Sequence, residues 1–517
     1  MAAQRLRQTI AEAIGRGDFA AAESGCEALI KIGDIGEGTH LQGVLRLAQG
    51  DPRAALSLLQ RAHALSPDRG DIAYNHGVAL RAAGRLADAA AAWQQATRLT
   101  PDHVGAWRNL ALAVAETRGP DAGLDIYRQA LAHHPDDREL LYNCGNLCSR
   151  SGDVENASLA HARLVDAHPN FALGWINAGM TFKAAGVFAQ AESCYRKAIA
   201  LNDPASVALA HFNLANLLLL QGRWSEGFAE YEWRLHLPGA LAPPWPAPAW
   251  TGNYPAGSRL LLWNDQGIGD AIQHLRFTVP LAERGYRLFV LVQDQLKSLA
   301  ASAAGVEAAF GPRDVPQAVD AHVPLCSLPH VLGMAPGQSW KGPYLRAAQK
   351  SGLPVVDHGG KPCSRVGLVW AGNPTHANDA NRSMRLADLT ALFGLPGVTW
   401  FSLQLGRGSA ELAASPWAGQ IRDLSPMLAD FSATAAFLTE LDLLISVDTA
   451  AAHLAGALGR PVWIALPAIG SDWRWGMIGE TTPWYPSARL FRQKRAGEWT
   501  ATVAEMAAAL RREWVRP

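Results

Sequence analysis

Four prolines, Pro67, Pro101, Pro135 and Pro169, stand 34 residues apart, and a fixed period of that length leaves few folds open to a chain. Gly84, Gly152 and Gly186 share a second offset, and Ala89, Ala157 and Ala191 a third. Trp93, Tyr127 and Tyr195 recur at an aromatic position, Ala62, Ala96, Ala130 and Ala198 at a small one, and Trp107 and Trp175 open their copies. Each copy holds two short helices and a turn, and such a pair buries its apolar face only by stacking on its neighbours. Poorer copies surround Gly17, Ala22 and Cys26, then Gly43, Gly50, Ala55 and Ala62. One more runs through Asn213, Ala215, Gly222, Trp224 and Tyr231. About seven copies are expected over residues 1–237.

Several agreeing offsets make this the helix–turn–helix pattern of tetratricopeptide repeats. It predicts a right-handed α-solenoid with a concave groove, where small residues let helices approach and aromatics fill the space between copies. Asn109, Asn143 and Asn177 keep the 34-residue step, with Asn75 before them and Asn213 two residues late. Asparagine is a poor helix former, so a ladder of amides points to a groove that clamps an extended peptide, an acceptor protein, by paired hydrogen bonds. The alternative is that each amide satisfies groups inside its own repeat.

Composition narrows the partners. Lysine plus arginine and aspartate plus glutamate balance at 46 each, so no basic field points to nucleic acid or an anionic membrane. No apolar run reaches the ~20 residues of a membrane span. The N-terminal stretch lacks the apolar core of a secretory signal, and a cytoplasmic location is the expectation. Cys26, Cys144, Cys148, Cys194, Cys326 and Cys363 show no CxxC spacing. Core thiols are expected rather than disulfides or a metal site.

At residues 237–257 the composition turns to proline and tryptophan. A stiff connector (238–257) is expected, with Trp245 and Trp250 packed against a domain surface to fix the orientation of the two halves. Beyond it, short apolar runs alternate with helical spacing: strands at 259–263, 288–292, 321–325, 366–370, 399–403, 443–447 and 462–466. They predict two parallel-sheet, Rossmann-like domains, 258–360 and 361–517, enclosing a cleft at their strand ends.

Three passages are placed to line that cleft. In the first, strand 259–263 enters Asn264-Asp265-Gln266-Gly267-Ile268-Gly269-Asp270. There Gly267 and Gly269 permit a positive φ or close approach to a ligand, and Asp270 falls in the first helical turn. A turn with a helix-dipole aspartate explains it equally well. In the second, strand 443–447 enters Asp448-Thr449-Ala450-Ala451-Ala452-His453, seating a diphosphate on backbone N–H groups near Thr449 and putting His453 one turn further on the same face, although a buried histidine bonded to backbone explains His453 equally well. The third is the polar loop 370–383, where Arg382 is the candidate phosphate cation and Asn373, His376 and Asn378 are candidate sugar or nucleotide contacts. Asx turns account for some of those asparagines as well.

Together with Glu230-Tyr231-Glu232-Trp233-Arg234, Asn381-Arg382-Ser383, Asp472-Trp473-Arg474-Trp475 and Pro483-Trp484-Tyr485-Pro486, these passages resemble bacterial tetratricopeptide-repeat proteins whose C-terminal half is similar to the lipopolysaccharide heptosyltransferases. The resemblance covers residues 230 onward. It implies a GT-B-type pair of lobes and an inverting, metal-independent glycosyltransferase. The acceptor would face the first lobe and a nucleotide-sugar co-substrate the second, with no further cofactor. It implies Asp270 as general base and Asp448, Thr449, Ala450 and His453 as the donor-binding pattern, with Gly267, Gly269, Asn373 and Arg382 beside the donor. Ala450 stands where that family has glycine, and its first-loop lysine is missing, with Arg382 as the substitute. Serine or threonine hydroxyls of a flagellin-like protein are the implied acceptor, and a homo-oligomer is a further expectation. A repeat scaffold with a degenerate second half, or a glycan-directed transferase, is the alternative.

Overall fold

The structure, a computed structural model, describes residues 2–243, 246–314, 318–347, 351–353 and 363–514. Trp245 and the expected boundary at 360/361 lie outside the described residues. The chain divides into two compact units, Met1–Ser206 and Val207–Pro517.

In the first unit twelve helices follow one another as pairs, from Ala2–Gly15 with Phe19–Lys31 to Ala172–Ala184 with Phe188–Ala200. The period has local causes. Gly50, Gly84, Gly152 and Gly186 turn between paired helices at φ of 76°, 77°, 79° and 76°, a region only glycine enters cheaply. Asp18, Asp51 and Asp153 follow such turns and cap the next helix, accepting from the backbone N–H of Ala21, Ala54 and Asn156. Trp107 and Trp175 donate their indole N–H to the carbonyls of Pro101 and Pro169 at 2.7 and 2.8 Å, which ties each proline to its own repeat. Across four of the six pairs a large side chain rests on a glycine: Leu59 on Gly43, Trp93 on Gly77, His161 on Gly145 and Tyr195 on Gly179. A methyl at any of these glycines would lie 2.5 Å from its neighbour, so backbone approach requires them.

The second unit opens with a seventh helical pair, Val207–Leu220 and Trp224–Tyr231, and a short 3-10 turn, Glu232–His236. Two parallel sheets follow. The first contains β1 (Arg259–Trp263), β2 (Arg287–Leu291), β3 (Val306–Phe310) and β4 (Ala321–Pro324), in the order β3-β2-β1-β4. The second contains β5 (Ser364–Val369), β6 (Val398–Ser402), β7 (Ile421–Asp423), β8 (Leu443–Val447), β9 (Val462–Leu466) and β10 (Ala488–Arg492), in the order β10-β9-β8-β5-β6-β7. Every residue of β8 and β9 is buried, as expected for strands covered on both faces. This is a two-sheet α/β region of general Rossmann-like kind. The order reverses between β1 and β4 and between β8 and β5, and ligands of open α/β sheets bind outside strand ends at such points.

From the connector, Ala249 bridges His322 in parallel fashion and the Trp250 N–H donates to the His322 carbonyl at 2.7 Å. Trp250 is buried against Tyr286. All six cysteines are free, five of them buried. No helix among the described residues is long and apolar enough to cross a membrane.

Candidate functional site

The loop leaving β1 is held from inside. Asn264 donates through its amide to the carbonyl of Gln266 at 2.8 Å and to Gln293 Oε1 at 3.0 Å. Asp265 is buried beneath it, and its Oδ2 accepts from Arg234 Nε at 2.7 Å. Arg234, also fully buried, donates to Glu232 Oε1 and Ser327 Oγ, each at 2.8 Å. The buried pair therefore has its remaining donors satisfied, the condition under which such a pair is tolerated.

That loop delivers the helix Ile268–His274. Neither Gly267 (φ −68°) nor Gly269 takes a positive φ, so of the two expected uses of these glycines the conformational one is absent. Gly269 serves close approach, though to a side chain of the second sheet region: a methyl there would lie 2.9 Å from His453 Cδ2. Asp270 Oδ2 accepts the Gly267 N–H at 2.9 Å. Its Oδ1 is bound by Arg474 Nη2.

Arg474 is the hub of the cluster. It is 5% exposed, donates through Nη1 to both oxygens of Asp472 at 2.8 and 2.9 Å, and through Nε to Gln273 Oε1. Its guanidinium lies 4.1 Å over the Trp473 ring. Around it, burial pushes the Asp270 carboxyl up, against the pull of Arg474. Burial also raises Asp472, but Arg474 outweighs it and the net is downward. Burial, with the Asp472 charge beside it, lifts Asp448 to about 6.

The second expected passage converges here. Thr449 precedes the helix Ala450–Ala457, which has no side-chain cap; its Oγ1 pairs with Ser446 Oγ at 2.9 Å. Ala450 is the first helical residue. His453 Nδ1 meets the Tyr485 hydroxyl at 3.0 Å, its Nε2 is 3.9 Å from Asp448 Oδ1, and its ring lies 5.1 Å from that of Trp475. Burial, aided by Arg474, pushes the imidazole down to about 3, so it is neutral at physiological pH.

The loop after β5 hangs from Gln404, whose Oε1 accepts the N–H of Trp370 and Ala371 at 2.9 and 2.8 Å. Arg382 reaches Asp379 through Nε at 3.3 Å and lies over Gly372. Asn373 is engaged in an Asx turn with Thr375 at 3.1 Å, the local use weighed for these asparagines. Asn378 donates to the Gly470 carbonyl at 2.8 Å. Burial, then the Arg382 charge, lowers His376.

Asp270, Arg382, Asp448 and His453 thus share one electrostatic neighbourhood. Sequence reasoning did not single out its hub. Arg474 lies about 200 positions from Asp270 (474 − 270), and only its place in the Asp-Trp-Arg-Trp motif marked it. Gln273 and Tyr485 were missed for the same reason. So was Arg276, which is fully buried among Trp340, Tyr344, Trp484 and Tyr485 and donates to the Trp484 carbonyl at 2.9 Å. Among the described residues no group of three His, Cys, Asp or Glu is placed to hold a metal.

In the first unit, Asn109 and Asn143 line an open pocket of ≈ 460 Å³ with Arg81, Arg108, Arg138 and Tyr142. Asn143 and Asn177 line another of ≈ 470 Å³. The amides are partly engaged: Asn143 donates to the Glu139 carbonyl at 2.7 Å and Asn177 to Asn146 Oδ1 at 2.6 Å. Asn109 is 7% exposed.

The description "Tetratricopeptide repeat" matches residues 46–114 and 176–232. Protein FlbA of Caulobacter vibrioides is 26% identical over 555 aligned residues, which cover 98% of this chain and 90% of that protein. Similar solved structures include MamA, at 18% identity and TM-score 0.29, covering 31% of this chain and 94% of that one. A repeat protein of Cytophaga hutchinsonii stands at 12% identity and TM-score 0.39, covering 45% and 95%. YrrB, a tetratricopeptide protein described as having an unusual peptide-binding site, stands at 18% and 0.30, covering 35% and 94%. The N-terminal region is a tetratricopeptide solenoid; none of these matches carries the heptosyltransferase resemblance.

Proposed function

We propose that this chain, a tetratricopeptide solenoid joined to a two-sheet α/β unit, is an inverting glycosyltransferase that moves a sugar from a nucleotide-sugar to a protein hydroxyl. The two sheets would act as GT-B-type lobes. Support comes from one observation: at points where strand order reverses, Asp270 after β1 is bound by Arg474, Asp448 and His453 after β8 feel its charge, and Arg382 after β5 acts on the same two residues. In the reaction the acceptor hydroxyl gives its proton to Asp270 as its oxygen bonds to the anomeric carbon. The bond from that carbon to the diphosphate oxygen breaks, and its electron pair leaves with the nucleotide. That leaving charge would meet Arg382 and the helix start at Thr449. No metal or other cofactor has a part in this scheme. The solenoid groove, with Asn109, Asn143 and Asn177, would hold the acceptor protein at a distance from the chemistry.

A non-catalytic repeat scaffold is the second reading. The repeat matches bear on it directly and on the enzymatic one not at all. Ala450, where the resembling family has glycine, and an Asp270 already tied to a cation also favour it. A flagellin-like acceptor and a homo-oligomer have nothing in the fold that favours them.

The test is Asp270→Asn in the full chain, assayed by intact mass of labelled products from a panel of nucleotide-sugars. Turnover should fall ~10²–10⁴-fold with donor binding retained. Wild-type protein that binds no donor of the panel would leave the scaffold reading standing.

A further inference from the structure

We propose that Arg474 is a latch: it holds Asp270 while the site is empty and passes to the diphosphate of an arriving donor, which frees the carboxylate to take the acceptor proton. This rests on the glycosyl-transfer reading.

Asp270 as it stands is poorly disposed to act as a base. Each of its oxygens accepts a hydrogen bond, one from Gly267 N–H and the other from the Arg474 guanidinium. An ion pair of this kind favours the ionised carboxylate over the protonated one. Burial offsets this and leaves the carboxyl raised overall, so what keeps a hydroxyl from Asp270 is the oxygen held by Arg474, freed only when the cation moves.

The charge around the site supplies a reason for it to move. Asp270, Asp448 and Asp472 face Arg474 and Arg382, and Arg382 is itself paired with Asp379. His453 adds no positive charge, since burial pushes it down to about 3, and desolvation with the Arg382 charge lowers His376 as well. A diphosphate entering beside Thr449 meets more carboxylate than cation, and it binds only where a guanidinium is turned toward it. Arg382 is held to Asp379 through Nε at 3.3 Å. Arg474 is built to turn without leaving. Nη1 grips Asp472 through both carboxylate oxygens, at 2.8 and 2.9 Å, and the guanidinium face rests on Trp473 at 4.1 Å. These contacts form a pivot, and the bonds from Nη2 to Asp270 and from Nε to Gln273 Oε1 are the two that the turn breaks. The exchange couples the two substrates: a base freed only by a bound donor does not ionise a hydroxyl when there is no sugar to receive it.

Opposite signs for the two partners of one ion pair would separate a latch from a structural strut. Breaking a strut from either side weakens binding alike, whereas breaking a latch on the Asp270 side releases Arg474 to the ligand. Calorimetric titration of the full chain with ADP, GDP, UDP and CDP, each beside its parent nucleoside, reads this. Arg474→Gln should weaken the bound diphosphate on the order of 10-fold or more. Asp270→Asn, nearly isosteric, should tighten it several-fold, and neither should alter the parent nucleoside. In the double variant the gain from Asp270→Asn should vanish. A gain that persists without Arg474 is mere relief of repulsion and overturns the latch. Unchanged or weaker diphosphate binding in Asp270→Asn alone overturns it too, and does so even if Arg474→Gln fails to fold. If none of the four diphosphates binds the wild type, the glycosyl-transfer reading falls and takes the latch with it.

Discussion

His161 occupies the position held by Trp93, Tyr127 and Tyr195 in other repeats, and it should make the solenoid sensitive to mild acid. The ring is 1% exposed, its Nδ1 meets Thr181 Oγ1 at 2.9 Å, and Nε2 has no hydrogen-bond partner. Burial pushes the imidazole down to about 4 from an ordinary 6.5. Between those values the unfolded chain binds the proton and the folded one does not, so stability rises with pH and is lost as pH falls from 6.5 toward 4. Taking 6.5 and 4 for the two states, acidifying from pH 7 to pH 5 costs about 2 kcal/mol at this residue alone. His161→Tyr removes the titration and restores the side chain that Tyr195 places over Gly179. Thr181 keeps its bond to the Asn177 carbonyl at 3.0 Å. Urea unfolding of both proteins, followed by helical circular dichroism at pH 7 and pH 5, isolates the effect, since every other group titrates alike in the two. The variant should gain about 2 kcal/mol on wild type between the two conditions. A gap that does not change with pH would refute the reasoning.

Gly269→Ala should gain up to ~1 kcal/mol of helix propensity, yet lose ~1–3 kcal/mol because the new methyl meets a ring pinned by Tyr485 and Trp475. A net fall in melting temperature checks it, and a rise would mean that His453 yields easily. Replacing Asn109, Asn143 and Asn177 together with alanine should raise KM for a protein acceptor several-fold while leaving a short hydroxyl-bearing peptide little changed. Circular dichroism must first show the triple variant folded, because Asn109 is buried. Equal KM would make these amides internal to the repeats.

What the chain discloses without coordinates follows the range of the forces involved. A repeat is specified locally, by turn glycines, capping aspartates and side chains one helix away, so the 34-residue step is open to inspection. Strands β1, β8 and β9 are equally plain, each a run of apolar residues with its ends marked. Three strands go unread. Val306–Phe310 is only half buried and carries Glu307, Ile421–Asp423 has three residues, and Ala488–Arg492 carries Arg489 and Arg492. Edge position explains all three, since β3, β7 and β10 each have one neighbour and need less apolar surface. The site divides in the same way. Asp270 and His453 announce themselves by following a strand, but the meaning of Arg474 depends on a contact across the fold. No spacing encodes that contact.

The seventh helical pair shows how far a repeat pattern can persist after its purpose has changed. Its sequence keeps Gly222 at the turn, with φ of 75° like its predecessors, and Ala215 remains buried. Pattern alone therefore puts the end of the solenoid at 237. Its aromatic side chains, however, serve the sheets. Trp224 lies 6.0 Å from Trp484, while Phe228 and Tyr231 lie 5.9 and 6.2 Å from Trp473, the residue that carries Arg474 on its face. Arg234, just past the pair, is the buried cation of Asp265. The apolar face of a helical pair determines which body it joins, and these contacts place the compact division at 206. Cutting the chain at 237 would remove the cation of Asp265 and leave a buried carboxylate unpaired under the loop that carries Asp270, a loss of about 3–5 kcal/mol. The boundary at 206 keeps the pair whole. On that argument the last repeat belongs to the site as a supporting wall, and the first compact unit is the six pairs before it.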